Sequence, residues 1–378
     1  MREGWEYKKL GEVCELKSGY TPKKEELSTK GLYPYYKVAD MNTLGNDVYL
    51  DITSSYKIDA RKFYPKGAIA FPKNGAAVST NKKRILRYDS IVDLNTAVAI
   101  FNNNINEKFA YYWFVDTDFK NFVRGGALPT LDMKSLKDKP FPSIDKPTQL
   151  SIVSELDKIN ELIRLKKEQL TDYDKLTQSL FYQMFGDPVE NEMGWEVKRL
   201  GEVCTAQNGL VDPKIEPYAN MYHVGPANII SNTGDLINLK LAKEENLISG
   251  KYLFKSGMIL YSKIRPNLNK VIKATFDGIC SADMYPLIPN KNILSDFLLF
   301  NLKTRNFLEY AISHSGRANI PKINREALMK YNIPLPPLPL QQLFARRIEQ
   351  IEHQKAEVQK AITDLETLLA SRMQYWFE

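Results

Sequence analysis

The chain has 378 residues, 43% of them hydrophobic and 26% charged, and a formal net charge of +7. That length is large for one ordinary domain and suits two of about 150 residues with connecting elements, while the composition is that of a chain able to bury a core and excludes general disorder. No window approaches the ~20 apolar residues of a membrane span, and the opening Met1-Arg2-Glu3-Gly4-Trp5-Glu6 has no signal-peptide pattern, so a cytoplasmic location is expected.

The first recognisable element is Gly4-Trp5-Glu6-Tyr7-Lys8-Lys9-Leu10-Gly11-Glu12-Val13-Cys14, and it returns 190 residues later as Gly194-Trp195-Glu196-Val197-Lys198-Arg199-Leu200-Gly201-Glu202-Val203-Cys204. Next, Gly67-Ala68-Ile69-Ala70-Phe71-Pro72-Lys73 matches Gly257-Met258-Ile259-Leu260-Tyr261-Ser262-Lys263 at the same offset, each reading as a buried strand that ends on lysine. The stretches that follow, 74–94 and 264–282, share almost nothing. A duplication that keeps its scaffold and varies its loops suggests two related domains with two different ligands, drift after duplication being the alternative.

Phe109-Ala110-Tyr111-Tyr112-Trp113-Phe114 could offer stacking surfaces for bases, but its counterpart Phe297-Leu298-Leu299-Phe300 keeps the apolarity and loses most of the aromatics, which favours a core helix. Each unit then closes on related turns: Leu128-Pro129-Thr130-Leu131 matches Ile320-Pro321-Lys322-Ile323, and Phe141-Pro142 matches Ile333-Pro334, at an offset of 192. Cys14, Cys204 and Cys280 lack any CxxC, and with only His223, His314 and His353 besides they do not make a zinc site of ordinary spacing; buried free thiols and no bound metal are expected.

After each unit comes a long stretch without glycine or proline until its end, which predicts a helix. In the first, Ile152, Leu156, Ile159, Ile163, Lys166, Leu170, Tyr173, Thr177, Leu180 and Met184 step by four and three. The second repeats the register 192 residues on, through Phe344, Ile348, Ile351, Lys355, Val358, Ile362, Leu365, Leu369, Arg372 and Trp376. The economical arrangement pairs the two helices antiparallel within one chain; packing of each on its own domain, or pairing between chains, remains open. The expected fold is therefore α+β: two duplicated α/β domains, residues 1–146 and 187–337, separated by helices at 147–186 and 338–378 that form an antiparallel coiled coil with approximate two-fold symmetry. Residues 1–146 hold 24 Lys/Arg against 18 Asp/Glu and residues 187–337 hold 18 against 15, while the two helical stretches each hold 5 against 6. The positive excess thus lies in the two globular parts, as suits a polyanionic ligand.

The duplicated Gly-Trp-Glu opening, the turn Pro334-Leu335-Pro336-Pro337-Leu338-Pro339-Leu340-Gln341-Gln342 with its less typical copy Phe141-Pro142-Ser143-Ile144-Asp145-Lys146-Pro147-Thr148-Gln149, and a long helix after each unit resemble the specificity subunits of type I restriction-modification enzymes across essentially the whole chain. The resemblance implies target-recognition domains that each read one half of a split duplex DNA target, with helices that fix the gap. It further implies two methyltransferase subunits as partners, joined by two restriction and translocase subunits. Chemistry would then lie in those partners, using S-adenosylmethionine, ATP and Mg, with no cofactor and no catalysis on this chain. In keeping with that, the sequence has no Walker loop, no Asn/Asp-Pro-Pro-Tyr tetrapeptide, no G-x-G-x-x-G after a strand and no HExxH. A stand-alone DNA-modifying enzyme, a methylation-only system and a duplicated adaptor remain alternatives.

DNA contacts are expected where cations and amides follow the repeated strand, since phosphates attract Lys and Arg, guanine edges suit Arg or Lys, and adenine suits Asn. The candidates are Lys73, Asn74, Asn81, Lys82, Lys83 and Arg84 in the first unit and Lys263, Arg265, Asn267, Asn269 and Lys270 in the second. Arg124, in Arg124-Gly125-Gly126-Ala127, and Arg317, in His314-Ser315-Gly316-Arg317-Ala318-Asn319, complete them. A run such as Lys82-Lys83-Arg84 is also the ordinary composition of a solvated turn.

Overall fold

A computed structural model describes residues 2, 4–28, 30–54, 57–58, 62–125, 128–316 and 319–378. The chain divides into two compact units, Met1–Lys167 with Lys360–Glu378, and Glu168–Gln359. Each unit is built to one plan.

In the first unit, β1 (Cys14–Ser18), β2 (Tyr49–Leu50), β3 (Ile69–Pro72), β4 (Arg84–Leu86) and β5 (Thr96–Phe101) form a sheet in the order β1-β5-β3-β4-β2. The interior strands are apolar on both sides because both sides are covered. Ile69, Phe71, Ala97 and Ala99 face a layer containing the helix Glu107–Asp116, while Ala70 and Val98 face a second sheet. That second sheet is made of the short segments Leu27–Ser28, Lys57–Ile58, Tyr33–Tyr36 and Ile91–Val92. The aromatic run Phe109 to Phe114 is buried throughout, as a core helix should be.

The second unit repeats the layers with β6 (Cys204–Ala206), β7 (Ile259–Ser262), β8 (Val271–Lys273) and β9 (Met284–Pro289) in the order β6-β9-β7-β8. Ile259, Tyr261 and Leu287 lie on the helical side with Phe297 and Leu298, and Leu260 and Ile272 face a second sheet made of Tyr222–Val224, Lys240–Leu241, Tyr252–Phe254 and Gly278–Cys280. The three cysteines are buried free thiols whose pKa burial pushes up to about 12.

The repeated opening motif is explained by packing. Glu6–Lys9 pairs antiparallel with Pro140–Ser143, and Glu196–Arg199 with Asn332–Leu335, so each unit's first strand is zipped to its closing turn. Leu10 and Leu200 are fully buried, the Glu12 and Glu202 carboxylates accept the Lys9 and Arg199 N–H groups, and Val13 and Val203 point inward. A Cβ on Gly11 or Gly201 would stand 3.2 Å from the Cβ of Lys137 or Met329, so a side chain there would press on its neighbour in both units.

The central helix, Lys146–Phe185, and the C-terminal helix, Leu338–Phe377, are each 40 residues long. Inside the first unit Glu155 meets Arg372 and Lys167 meets Glu366; inside the second, Asp174 meets Lys355 and Met184 meets Arg347. Partner numbers fall on one helix as they rise on the other, so in each unit the segments run antiparallel. Of the residues expected in the seam, Ile159, Ile163, Val358 and Ile362 are buried, Ile152 and Leu156 are buried within the first unit's core, Phe344, Ile348 and Ile351 within the second's, and Leu170 and Leu365 are half-buried. Two cations that interrupt it are neutralised: Arg372 by Glu155, Lys355 by Asp174 and Glu352. No described helix is long and apolar enough to cross a membrane.

The glutamine of each closing turn locks helix to domain. Gln149, fully buried, accepts the Asn106 N–H at 2.7 Å and donates to the carbonyls of Asn104 at 3.1 Å and Ile144 at 2.9 Å. Gln341 makes the same three bonds in the second unit, to the Leu294 N–H at 2.9 Å and the Asn292 and Pro336 carbonyls at 3.2 and 2.8 Å. Asn106 and Leu294 are the N-cap residues of the two core helices, so one side-chain amide fixes where each core helix starts.

Candidate nucleic-acid interface

The lysine that ends the repeated strand sits in the same backbone clamp in both units. Lys73 N–H donates to the Asn95 carbonyl at 2.8 Å, and its own carbonyl accepts Leu131 N–H at 2.8 Å. Lys263 N–H donates to Asp283 at 3.0 Å and its carbonyl accepts Ile323 N–H at 3.0 Å. Two residues on, Gly75 N–H reaches the Pro129 carbonyl at 2.8 Å and Arg265 N–H the Pro321 carbonyl at 2.7 Å. Asn74 bridges Thr130, which pairs on its other side with Arg124; Ile264 bridges Lys322, and Ser315 bridges Ile323. The two loops singled out in each unit are thereby brought side by side.

The turn after the clamp begins and ends on positive φ in both units, at Gly75 (+76°) and Asn81 (+55°), and at Arg265 (+47°) and Asn269 (+46°). Its 3₁₀ turn is Ala76–Thr80 in the first unit and only Pro266–Leu268 in the second, which shifts the repeat offset from 190 to 188. Arg265 and Asn267 are exposed, and the Arg265 side chain has no hydrogen-bond or ion-pair partner among the described residues. Lys73 and Asn74 are half-buried, and exposed Arg124 pairs with Asp132. Lys263 is half-buried, its ammonium donating to the Ala282 carbonyl at 2.5 Å and lying 3.9 Å from Asp283 and 5.5 Å from the centre of the Tyr285 ring.

The basic cluster of the first unit is a correction. Lys83 is 1% exposed: its ammonium donates to the Thr117 carbonyl at 2.7 Å and the Asn81 amide oxygen at 2.6 Å, and lies 4.1 Å from the centre of the Phe119 ring. It cannot reach a phosphate, because it precedes β4 on the inward side, the position Val271 fills in the second unit. The Arg84 guanidinium is spent on the backbone carbonyls of Met41, Asn46 and Lys83, and Lys82 on the Asn42 side chain. Asn81 accepts from Phe119 N–H at 2.9 Å, Asn269 is buried, and Lys270 donates to the Pro226 carbonyl at 2.6 Å. These groups staple the turn to its own domain. Arg317 lies outside the described residues.

Lys322 was not among the sequence candidates, yet it is exposed directly opposite Ile264. Its signal was available in the alignment of Ile320-Pro321-Lys322-Ile323 with Leu128-Pro129-Thr130-Leu131. Among the described residues no three His, Cys, Asp or Glu side chains cluster as a metal site.

The chain is 38% identical over 170 residues to the type I restriction enzyme EcoDI specificity subunit of Escherichia coli, a match covering 45% of this chain and 37% of that protein. It is 22% identical over 417 aligned positions to the type I restriction enzyme MjaIX specificity subunit of Methanocaldococcus jannaschii, covering 96% of this chain and 90% of that protein. Two solved structures share the fold. One, described as the structural basis underlying complex assembly and conformational transition of the type I R-M system, matches with a TM-score of 0.64 at 19% identity over 100% of this chain and 98% of that one. The other, a type I restriction-modification S subunit from M. genitalium, matches with a TM-score of 0.55 at 15% identity over the same 100% and 98%. The sequence profile of the type I restriction modification DNA specificity domain matches twice, over residues 2–172 and 192–367, and the chain therefore belongs to that family, with one specificity domain in each repeat.

Proposed function

We propose that this chain is the DNA-reading specificity subunit of a type I restriction-modification complex, in which each unit reads one half of an asymmetric bipartite duplex target. The observation that carries the reading is the pair of identical backbone clamps presenting different turns, Asn74-Gly75-Ala76-Ala77 in one unit and Ile264-Arg265-Pro266-Asn267 in the other. A constant frame with changed tips is what two base sequences demand. The retained heptad register of the two helices supports their acting as the ruler between half-sites. Two methyltransferase subunits would dock on the helices and framework and carry out adenine methylation with S-adenosylmethionine. Two restriction and translocase subunits using ATP and Mg would add cleavage, this chain contributing recognition and no catalytic group. A cytoplasmic location would suit this DNA-reading role.

The test is adenine-methylation mapping across the host genome with Lys263→Ala and Arg265→Ala combined. Recognition of the second half should weaken or relax while the first half stays fixed. An unchanged motif at unchanged occupancy would refute the assignment of those residues.

A further inference from the structure

Beside each clamp stands an aliphatic side chain that core packing does not explain. Leu128 is 79% exposed and Ile320 48% exposed. They occupy the same place in the repeat, each immediately before the proline whose carbonyl accepts the N–H of Gly75 or Arg265. Three residues further on, Leu131 and Ile323 are 3% and 0% exposed, so their apolar character follows from the core. No such cause applies to Leu128 and Ile320. Their neighbours have changed, Thr130 to Lys322 and Ala127 to Asn319, yet an aliphatic has remained in water at both places.

The surroundings indicate what covers it. The backbone pairings place Asn74 and Gly75 along Pro129 and Thr130, next to Leu128, and Arg265 and exposed Lys322 next to Pro321 and Ile320, an amide and cations suited to a polyanion with hydrogen-bonding edges. Where such groups meet a duplex in the major groove, the apolar group on display is the thymine C5-methyl. The following proline restricts the backbone of the residue before it, and its carbonyl is pinned by Gly75 or Arg265 N–H, so little freedom is lost on contact. Resting on the reading of this chain as a DNA reader, we infer that Leu128 and Ile320 each press on a thymine methyl, fixing one A·T pair in each half of the target.

The experiment measures binding of the full chain, assembled with its proposed methyltransferase partner subunits, to its target duplex. Each thymine is replaced in turn by deoxyuridine, which lacks only the methyl. In each half, one position should lose about threefold to tenfold in affinity on removal of the methyl, the size of one buried methyl contact. Leu128→Ala should abolish that sensitivity in the first half and leave the second intact, Ile320→Ala should do the reverse, and Leu128→Met should restore it. Specific binding without any methyl-sensitive position overturns this inference alone, as does a Leu128→Ala loss that is equal on thymine and deoxyuridine duplexes. Failure of the wild-type complex to prefer its target over unrelated duplex overturns the DNA-reading assignment as well.

Discussion

Lys83 and Val271 fill the same inward position at the entry to β4 and β8, and the difference between them is a buried charge. Burial pushes the Lys83 ammonium down to about 7, against partial support from Asp118. Between that value and the 10.5 of an unburied lysine the unfolded chain binds more protons than the folded one, so this residue makes stability rise with pH across that window. Lys83→Met should flatten that part of the stability–pH curve, read as the difference between wild type and variant in urea titrations at pH 7 and pH 10. Equal slopes would contradict it. Arg265 carries another residue-scale tension, a side chain with a Cβ held at φ +47° where glycine stands in the other unit. Such a conformation costs on the order of 1 kcal/mol and is tolerated where function needs the side chain. Arg265→Gly should therefore keep or raise stability, by up to about 1 kcal/mol, while methylation directed by the second half falls; a variant that loses stability instead would show that the arginine is held for packing.

At the scale of elements, the long helices were the most legible feature, because burial follows the four-three step of Ile152 to Ile163 and Phe344 to Ile362. The strand ending on lysine was legible too, since a short apolar run between turns is the mark of a strand covered on both faces. What the sequence did not disclose was the second sheet of each unit. Segments as short as Leu27–Ser28 and Lys57–Ile58 carry no period, and only their pairing across the fold makes them strands. The fate of Lys82-Lys83-Arg84 was hidden for a related reason: a basic run reads as solvated until the carbonyls that receive it are in place. Gln149 and Gln341 were legible as a motif and not as a device. Replacing Gln341 with leucine strips partners from the Leu294 N–H and from the Asn292 and Pro336 carbonyls, at a cost of about 3 kcal/mol. Chemical denaturation of Gln341→Leu checks this, and a change below about 1 kcal/mol would show that water takes over the three groups.

For the molecule as a whole, the helices are where a spacing rule would be written. The central and C-terminal helices each pass from one unit's share to the other's, between Lys167 and Glu168 and between Gln359 and Lys360. Within each unit the pairing is already fixed, by Glu155 with Arg372 on one side and Asp174 with Lys355 on the other. Seven residues inserted after both Lys167 and Gln359 would leave those contacts and the heptad phase unchanged and lengthen each helix by about 10.5 Å, or about three base-pair steps of duplex. If the proposed ruler is correct, methylation mapping of the double insertion should return the same two half-sites separated by about three more base pairs. An insertion in one helix alone breaks the match between the two and should abolish methylation, since the seam can no longer close at both ends. A double insertion that keeps the original gap would show that the spacing is set elsewhere, by the partner subunits or by the DNA.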